Sequence, residues 1–193
     1  MNRKFISFSK KIYQCNKCTR LVNFRNKISL KKRKSYLDQV YWGKPISGFG
    51  DLNGNIIIIG LAPAAHGATR TGRVFTGDKS ADFLFNCLFK SGLSNQPNSD
   101  HINDGLKLKN TFITLALRCV PPEDKPTKEE LKNCSAFFKE ELNMIKNKKV
   151  IVALGKIAFD ACINFYKENY GLTGSYKFGH GSKYNINGLT IFG

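Results

Sequence analysis

Residues 55–78 read NIIIIGLAPAAHGATRTGRVFTGD, and this stretch decides the fold class. Ile56, Ile57, Ile58 and Ile59 form a short, wholly apolar, β-branched run ended by Gly60. Such a run belongs to a strand covered on both faces, as in a parallel sheet. The chain beyond Gly60 has neither a helical nor a strand period. It holds Pro63, Gly67, Gly72 and Gly77, with Ala62, Ala64, Ala65 and Ala68 among them. Open α/β sheets place their ligands where a loop leaves the carboxyl end of a central strand. Small residues there let a flat or phosphorylated group approach the backbone, whose amides can receive developing negative charge. Phe75 and Asp78 end the loop with a ring and a carboxylate. A backbone cradle, a stacking ring and an acid are the parts of a nucleobase pocket.

Outward from this stretch, strand–loop–helix units repeat. Asp78 or Ser80 is placed to cap a helix running to about Ser91, with Phe83, Leu84, Cys87 and Leu88 on its apolar side. Residues 95–109 are polar and read as a surface excursion. Strands are expected over Thr111–Leu117 and Val150–Leu154. Thr127 and Glu130 make a capping box for a helix carrying Leu131, Phe138, Leu142 and Ile145. Another helix is expected over Ile157–Tyr166. Asn187-Gly188 is a hairpin signal, with a last strand after it over Leu189–Phe192. Four strands in such units predict a short, mainly parallel sheet with helices on both faces, in a single domain spanning residues 1–193.

The chain has 31 Lys and Arg against 14 Asp and Glu, a net charge of +17. Many of the basic residues crowd the amino-terminal region, at Arg20, Arg25, Lys27, Lys31, Lys32, Arg33 and Lys34. This balance favours a phosphate-backbone partner bound in a salt-dependent way; the plainer reading is a solvated basic face. No apolar run reaches membrane-spanning length, and the first residues lack the apolar middle of a secretory signal. A prokaryotic cytoplasmic protein and a monomer are expected. Of the six cysteines, Cys87 and Cys162 sit in helix-like apolar patterns and read as core. Cys15 and Cys18 form a C-x2-C pair, with Cys119 at a strand end and Cys134 in a helix. Four thiolates make a complete metal site, and spacing alone leaves zinc and an iron–sulfur cluster equally open.

GLAPAAHG at 60–67, RTGRVFTGD at 70–78, RCVPP at 118–122, KPTKEE at 125–130 and the leading C-x2-C-x-RL at 15–21 occur in one order along nearly the whole chain. Together they resemble the iron–sulfur uracil-DNA glycosylases; AAHG and FTGD resemble the type B branch, also called family five. The resemblance implies a three-layer α/β/α sandwich and a [4Fe-4S] cluster held by Cys15, Cys18, Cys119 and Cys134. It implies a DNA-repair hydrolase that flips a deaminated base out of DNA and hydrolyses its N-glycosidic bond. The base is uracil or, in this branch, a purine such as hypoxanthine or xanthine.

The residues fit that chemistry. Extruding a base costs a few kcal/mol, which phosphate contacts and stacking must offset. Phe75 is the expected stacking ring, and Arg70 and Arg73 are the loop's candidate phosphate contacts. Amides from Gly60, Leu61, Ala62 and Ala64 can hydrogen-bond the departing uracil anion, as an oxyanion hole does. His66 is placed to orient that backbone. The type B pattern points to Asp78 as the carboxylate that steadies the sugar cation and positions water. Its plainer role is a helix N-cap, and the two are compatible. Asp82 is a weaker candidate. Asp124 stands where the family has an asparagine, and as an acid it would either act as a base or repel anions. The family continues beyond the position of Gly193 into a Ser-x-His-Pro loop, so a fragment or a truncated chain is expected, with His180 structural or exposed. The rival readings are a non-catalytic iron–sulfur DNA-binding protein and a zinc-ribbon nucleic-acid binder, which would leave the Gly/Ala-rich loop unexplained.

Overall fold

The computed structural model describes residues 3–186 and 188–193. Two helices come first, α1 (Arg3–Tyr13) and α2 (Thr19–Leu30), with the C-x2-C pair between them. Strands β1 (Phe49–Gly50) and β2 (Ile56–Gly60) come next, then the short α3 (Ala68–Thr71) inside the glycine-rich loop, and α4 (Lys79–Lys90). The remainder is β3 (Thr111–Leu115), α5 (Lys128–Met144), β4 (Val150–Ala153), α6 (Lys156–Tyr170), β5 (Lys183–Ile186) and β6 (Leu189–Phe192).

Among the described residues the sheet has six strands rather than the expected four, in the order β1-β3-β2-β4-β6-β5. The four central strands are the four that the apolar runs announced, and all three of their pairings are parallel. Ile56 sits opposite Thr111 on one side and Val150 on the other. The two additional strands are antiparallel edges. β1 is two residues long, and β5 alternates exposed and half-buried side chains, so neither makes an apolar run. Asn187 of the expected hairpin signal lies outside the described residues; Gly188 beside it has φ +82°.

The sheet has a core on each face. Ile57, Ile59, Phe112, Ile151 and Ile191 pack with Phe138, Leu142, Phe159 and Phe165 from α5 and α6. Ile58, Ile113 and Leu115 pack on the other face against Ala81, Phe85 and Leu88 of α4, with Ala68 and Val74 from the loop. Alternation of strand side chains between the two faces makes this a three-layer sandwich. α4 is rotated from expectation. Its buried positions are Ala81, Phe85 and Leu88, while Phe83 is 76% exposed and Cys87 faces out. Both 81/85/88 and 84/88 fit a helical period, and packing on Ile58 and Ile113 selected the former. Cys162 is buried as expected. The capping box is present: Thr127 Oγ1 accepts from the Glu130 amide at 3.2 Å, and Glu130 Oε2 accepts from the Thr127 amide at 2.8 Å.

Candidate active site

The chain order places β3 on one side of β2 and β4 on the other, so the carboxyl ends of these three strands flank the point where the winding reverses. A cleft of about 690 Å³ opens there. It is lined by Gly60, Leu61, Ala62 and Ala64 of the first loop, by Phe75 and Asp78 at the loop's end, and by Asp124. Seven residues singled out in the sequence thus share one wall of space. His66, Arg70, Asp78 and Lys79 continue into an adjoining cleft with Arg33 and His101.

The loop is shaped by close approaches. A Cβ on Gly60 would lie 2.8 Å from Phe75 Cζ, so the ring rests directly on the strand end. Phe75 adopts φ +46°, a region in which a bulky residue is strained and which calls for a functional account. Among the described residues, the amides of Ala62 and Ala64 donate to no protein acceptor. Both residues line the same cleft as the ring.

Asp78 is the N-cap of α4, with Oδ1 accepting from the Ala81 amide at 3.0 Å. Its other oxygen lies against Gly67, where a Cβ would come within 1.9 Å of Oδ2. The carboxylate can occupy this place only because residue 67 has no side chain. Burial pushes the Asp78 carboxyl above its ordinary range, and hydrogen bonds from the Ala81 and Ser80 amides oppose that rise. Such a group is a half-buried acid beside a cradle of amides, the combination expected of an acid–base site.

His66 Nδ1 pairs with the Tyr41 hydroxyl at 2.9 Å. Burial lowers its pKa, with further lowering from the Arg33 and Arg70 charges. Its carbonyl accepts from Arg70 Nε at 2.7 Å. Asp124 is exposed and has φ +56°, next to Glu123 at +55°.

The two arginines depart from expectation. Arg73 is 4% exposed and faces inward. It clamps Asp104 through Nη1 at 2.8 Å and Nη2 at 2.5 Å, and also donates to Thr76 Oγ1 and Ser99 Oγ. Its guanidinium is committed to holding the loop on the polar excursion, so it is no phosphate contact. Burial alone would raise the Asp104 carboxyl, but hydrogen bonds from Arg73 and from the Leu106 and Asp100 amides outweigh it and hold it well below the usual range. Arg70 borders the outer cleft, yet its nitrogens donate to His66 O, Gln39 Oε1 and Gly77 O, and its plane lies 4.0 Å over the Tyr36 ring. It too braces the loop. The exposed cations at the clefts are Arg33 and Lys79. Nothing local in the sequence marks Asp104 or Tyr41 as partners, since they stand 31 and 25 positions from Arg73 and His66.

The four remaining cysteines meet elsewhere. Cys15, Cys18, Cys119 and Cys134 line one cavity with Leu21, Arg25, Leu117 and Arg118. Arg25, 5% exposed, donates to Cys119 Sγ at 3.1 Å and to the Cys15 carbonyl at 3.2 Å. The Arg118 amide donates to Cys134 Sγ at 3.2 Å. Burial pushes the Cys134 thiol up to about 12 and raises Cys119 and Cys18 as well. Among the described residues, no group of three or more His, Cys, Asp or Glu side chains could hold a single metal ion. Arg25 Nε is buried there without a partner, and Arg118, whose Nε and Nη1 are also unpartnered, is paired through Nη2 with Glu141 Oε2 at 2.8 Å.

Two backbone bonds join this cavity to the cleft. The Ala116 amide donates to the Gly60 carbonyl at 2.9 Å, and the Leu117 amide to the Leu61 carbonyl at 2.8 Å. Ala62 lines the cleft on one side and packs in the cluster of Leu21, Leu117 and Cys134 on the other.

Residues 47–190 match the family model described as the uracil DNA glycosylase superfamily. Among curated proteins, a type-5 uracil-DNA glycosylase of Pyrobaculum aerophilum is 41% identical over 185 residues, 96% of this chain and 78% of that protein. A type-5 uracil-DNA glycosylase of Thermus thermophilus is also 41% identical, over 94% of this chain and 81% of its own length. A type-4 uracil-DNA glycosylase of Thermotoga maritima is 30% identical over 58% of this chain and 51% of its own. With the strand order, the strand-end cleft and these matches in agreement, the chain belongs to the uracil DNA glycosylase superfamily, within its type-5 branch.

Proposed function

We propose that this protein is a DNA-repair glycosylase that excises uracil from DNA, in the prokaryotic cytoplasm and as a monomer of one domain. The observation that carries the proposal is the strand-end cleft, where residues with unpaired amides, an aromatic ring and a half-buried carboxylate line the same space. Phe75 stacks on the extruded base. The Ala62 and Ala64 amides accept the charge that develops on uracil as the N-glycosidic bond lengthens, without reorganising at that moment. Asp78 in its ionised form steadies the sugar cation and orients the attacking water, while its second oxygen keeps α4 capped. His66 shapes the loop through its carbonyl bond to Arg70. Arg33 and Lys79 are the cations best placed to meet phosphates. Asp124 at the rim adds negative charge that disfavours close phosphates on that side. Hypoxanthine and xanthine are the further bases proposed for the same pocket.

The cysteine cavity fits a [4Fe-4S] cluster held by Cys15, Cys18, Cys119 and Cys134. A cubane binds each thiolate to a different iron, so its ligands stand farther apart than the ligands of one ion, in line with the lack of a single-ion group among the described residues. The unpartnered Arg25 Nε, on a guanidinium that already donates to Cys119 Sγ, suits an anionic group with acceptor sulfurs. When bound, the cluster supplies a cross-link between the α1–α2 segment, the end of β3 and α5.

The test is release of uracil from a duplex containing a single uracil, with protein in excess, beside the Asp78→Asn variant. Abasic sites formed by the wild-type chain and lost in the variant are expected. Tight lesion binding without uracil release would move the assignment to a non-catalytic DNA-binding protein.

A further inference from the structure

Lys79 and Phe83 stand one helical turn apart on the outward face of α4, at a spacing that brings two side chains together. Both line the strand-end cleft, as does Leu154, just beyond β4. Phe83 is 76% exposed and Leu154 40% exposed, although α4 had Phe85 available to fill its core. A large ring held in water at the mouth of a cleft is an apolar surface awaiting a flat partner. Phe75 already occupies the floor against Gly60, so Phe83 meets whatever lies at the entrance. The chain's +17 charge and the neighbouring Lys79 and Arg33 identify that partner as nucleic acid.

We infer that Lys79 and Phe83 form a second nucleotide contact at the mouth of the cleft. Phe83, together with Leu154, stacks on the base beside the extruded nucleotide, and Lys79 meets the phosphate between the two. Extruding one base leaves its neighbour with a bare face, and an aromatic ring covers that face regardless of sequence. The stacking by Phe83 forms only when a base has left the stack, so it acts on lesion recognition, while Lys79 also contributes to general DNA affinity. This inference rests on the glycosylase reading above.

The experiment measures binding by fluorescence anisotropy to two duplexes, one undamaged and one carrying 2′-fluoro-2′-deoxyuridine, whose glycosidic bond resists cleavage. Phe83→Ala is expected to weaken lesion binding about 5- to 150-fold, the worth of one base stack, and to leave undamaged binding unchanged. Phe83→Trp should restore it. Lys79→Ala should weaken both duplexes and reduce the salt slope by about one. A 2-aminopurine beside the lesion should be quenched in the wild-type complex and brighter in Phe83→Ala. The inference is overturned if Phe83→Ala keeps the wild-type lesion preference, or loses affinity equally for both duplexes. A wild-type chain that prefers neither duplex removes the glycosylase reading itself, a separate result from lesion preference retained by the variant.

Discussion

The strand-end cleft and the cysteine cavity lie at adjoining parts of the same sheet and are built in opposite ways. In the cleft the loop's own charged groups are satisfied: Arg70 and Arg73 are fully engaged with the loop and the polar excursion, and Asp78 accepts from α4. Backbone amide and an aromatic face are left open there. In the cysteine cavity the backbone is engaged and the side chains are left short, with three guanidinium nitrogens among the described residues buried without partners. A buried N–H donor left without a partner is costly, whereas open amides at a solvent-filled cleft are not. The first region is therefore complete as protein and waits for a substrate that comes and goes. On the proposed reading, the second is completed by a resident anionic group.

Changes on the cavity side should have the largest effect. Cys119→Ala removes a ligand and should give protein that lacks iron and folds poorly, because a structural metal's binding energy is folding energy. Cys87→Ala and Cys162→Ala should keep the metal; iron and sulfide analysis with thermal melts checks all three. Zinc in place of iron in anaerobically purified protein would break this half of the comparison.

On the cleft side, Asp78→Asn should lower single-turnover excision by about 10²–10⁴-fold, the usual range for such a group, with DNA binding and helix capping kept. The pH profile sharpens the point. Excision needs the ionised carboxyl, and burial raises its pKa, so wild-type activity should fall away with acid above the ordinary carboxylate range. That limb should be absent from the variant's residual activity.

Arg73→Ala tests whether an arginine beside the pocket is a brace. Removing one partner of a buried pair costs roughly 3–5 kcal/mol, read by chemical denaturation. The salt slope of DNA binding should not move; a flatter slope would restore Arg73 as a phosphate contact. The pair's stability comes from the depressed Asp104 pKa: it is fully present above the unfolded value near 4 and is lost as pH falls through the folded one.

The smallest expected change is Gly67→Ala. Its methyl would displace the Asp78 carboxylate, and a misplacement of that order can cost about 10²-fold in rate. Stability and binding should be nearly those of the wild type. Unchanged excision in this variant would show that the carboxylate works from a different position.

The sequence made some of this visible and concealed the rest for physical reasons. The four central strands were legible because strands buried on both faces must be continuously apolar. The edges were not, since β1 has two residues and β5 faces solvent on alternate positions. The cleft residues were legible because close backbone approach leaves glycines and alanines in one local run. Arg73 was misread because its partner, Asp104, lies in a polar stretch with no period. Phe83 and Phe85 are two positions apart on one helix, and only tertiary packing decided which ring went inside. Arg25 looked like one more surface cation in a basic segment, and its burial against Cys119 left no mark in the composition.

The bonds from Ala116 and Leu117 back to Gly60 and Leu61, with Ala62 packed toward both regions, have a bearing on the life history of the molecule. On the proposed reading, metal loading doubles as the maturation step of the pocket. A newly made chain without its cluster would hold its catalytic loop by sheet bonds alone, and oxidative loss of the cluster would retire the enzyme from DNA instead of leaving a mis-set pocket at work there. Iron supply would thereby govern how many competent copies a cell contains, independently of how many it has synthesised.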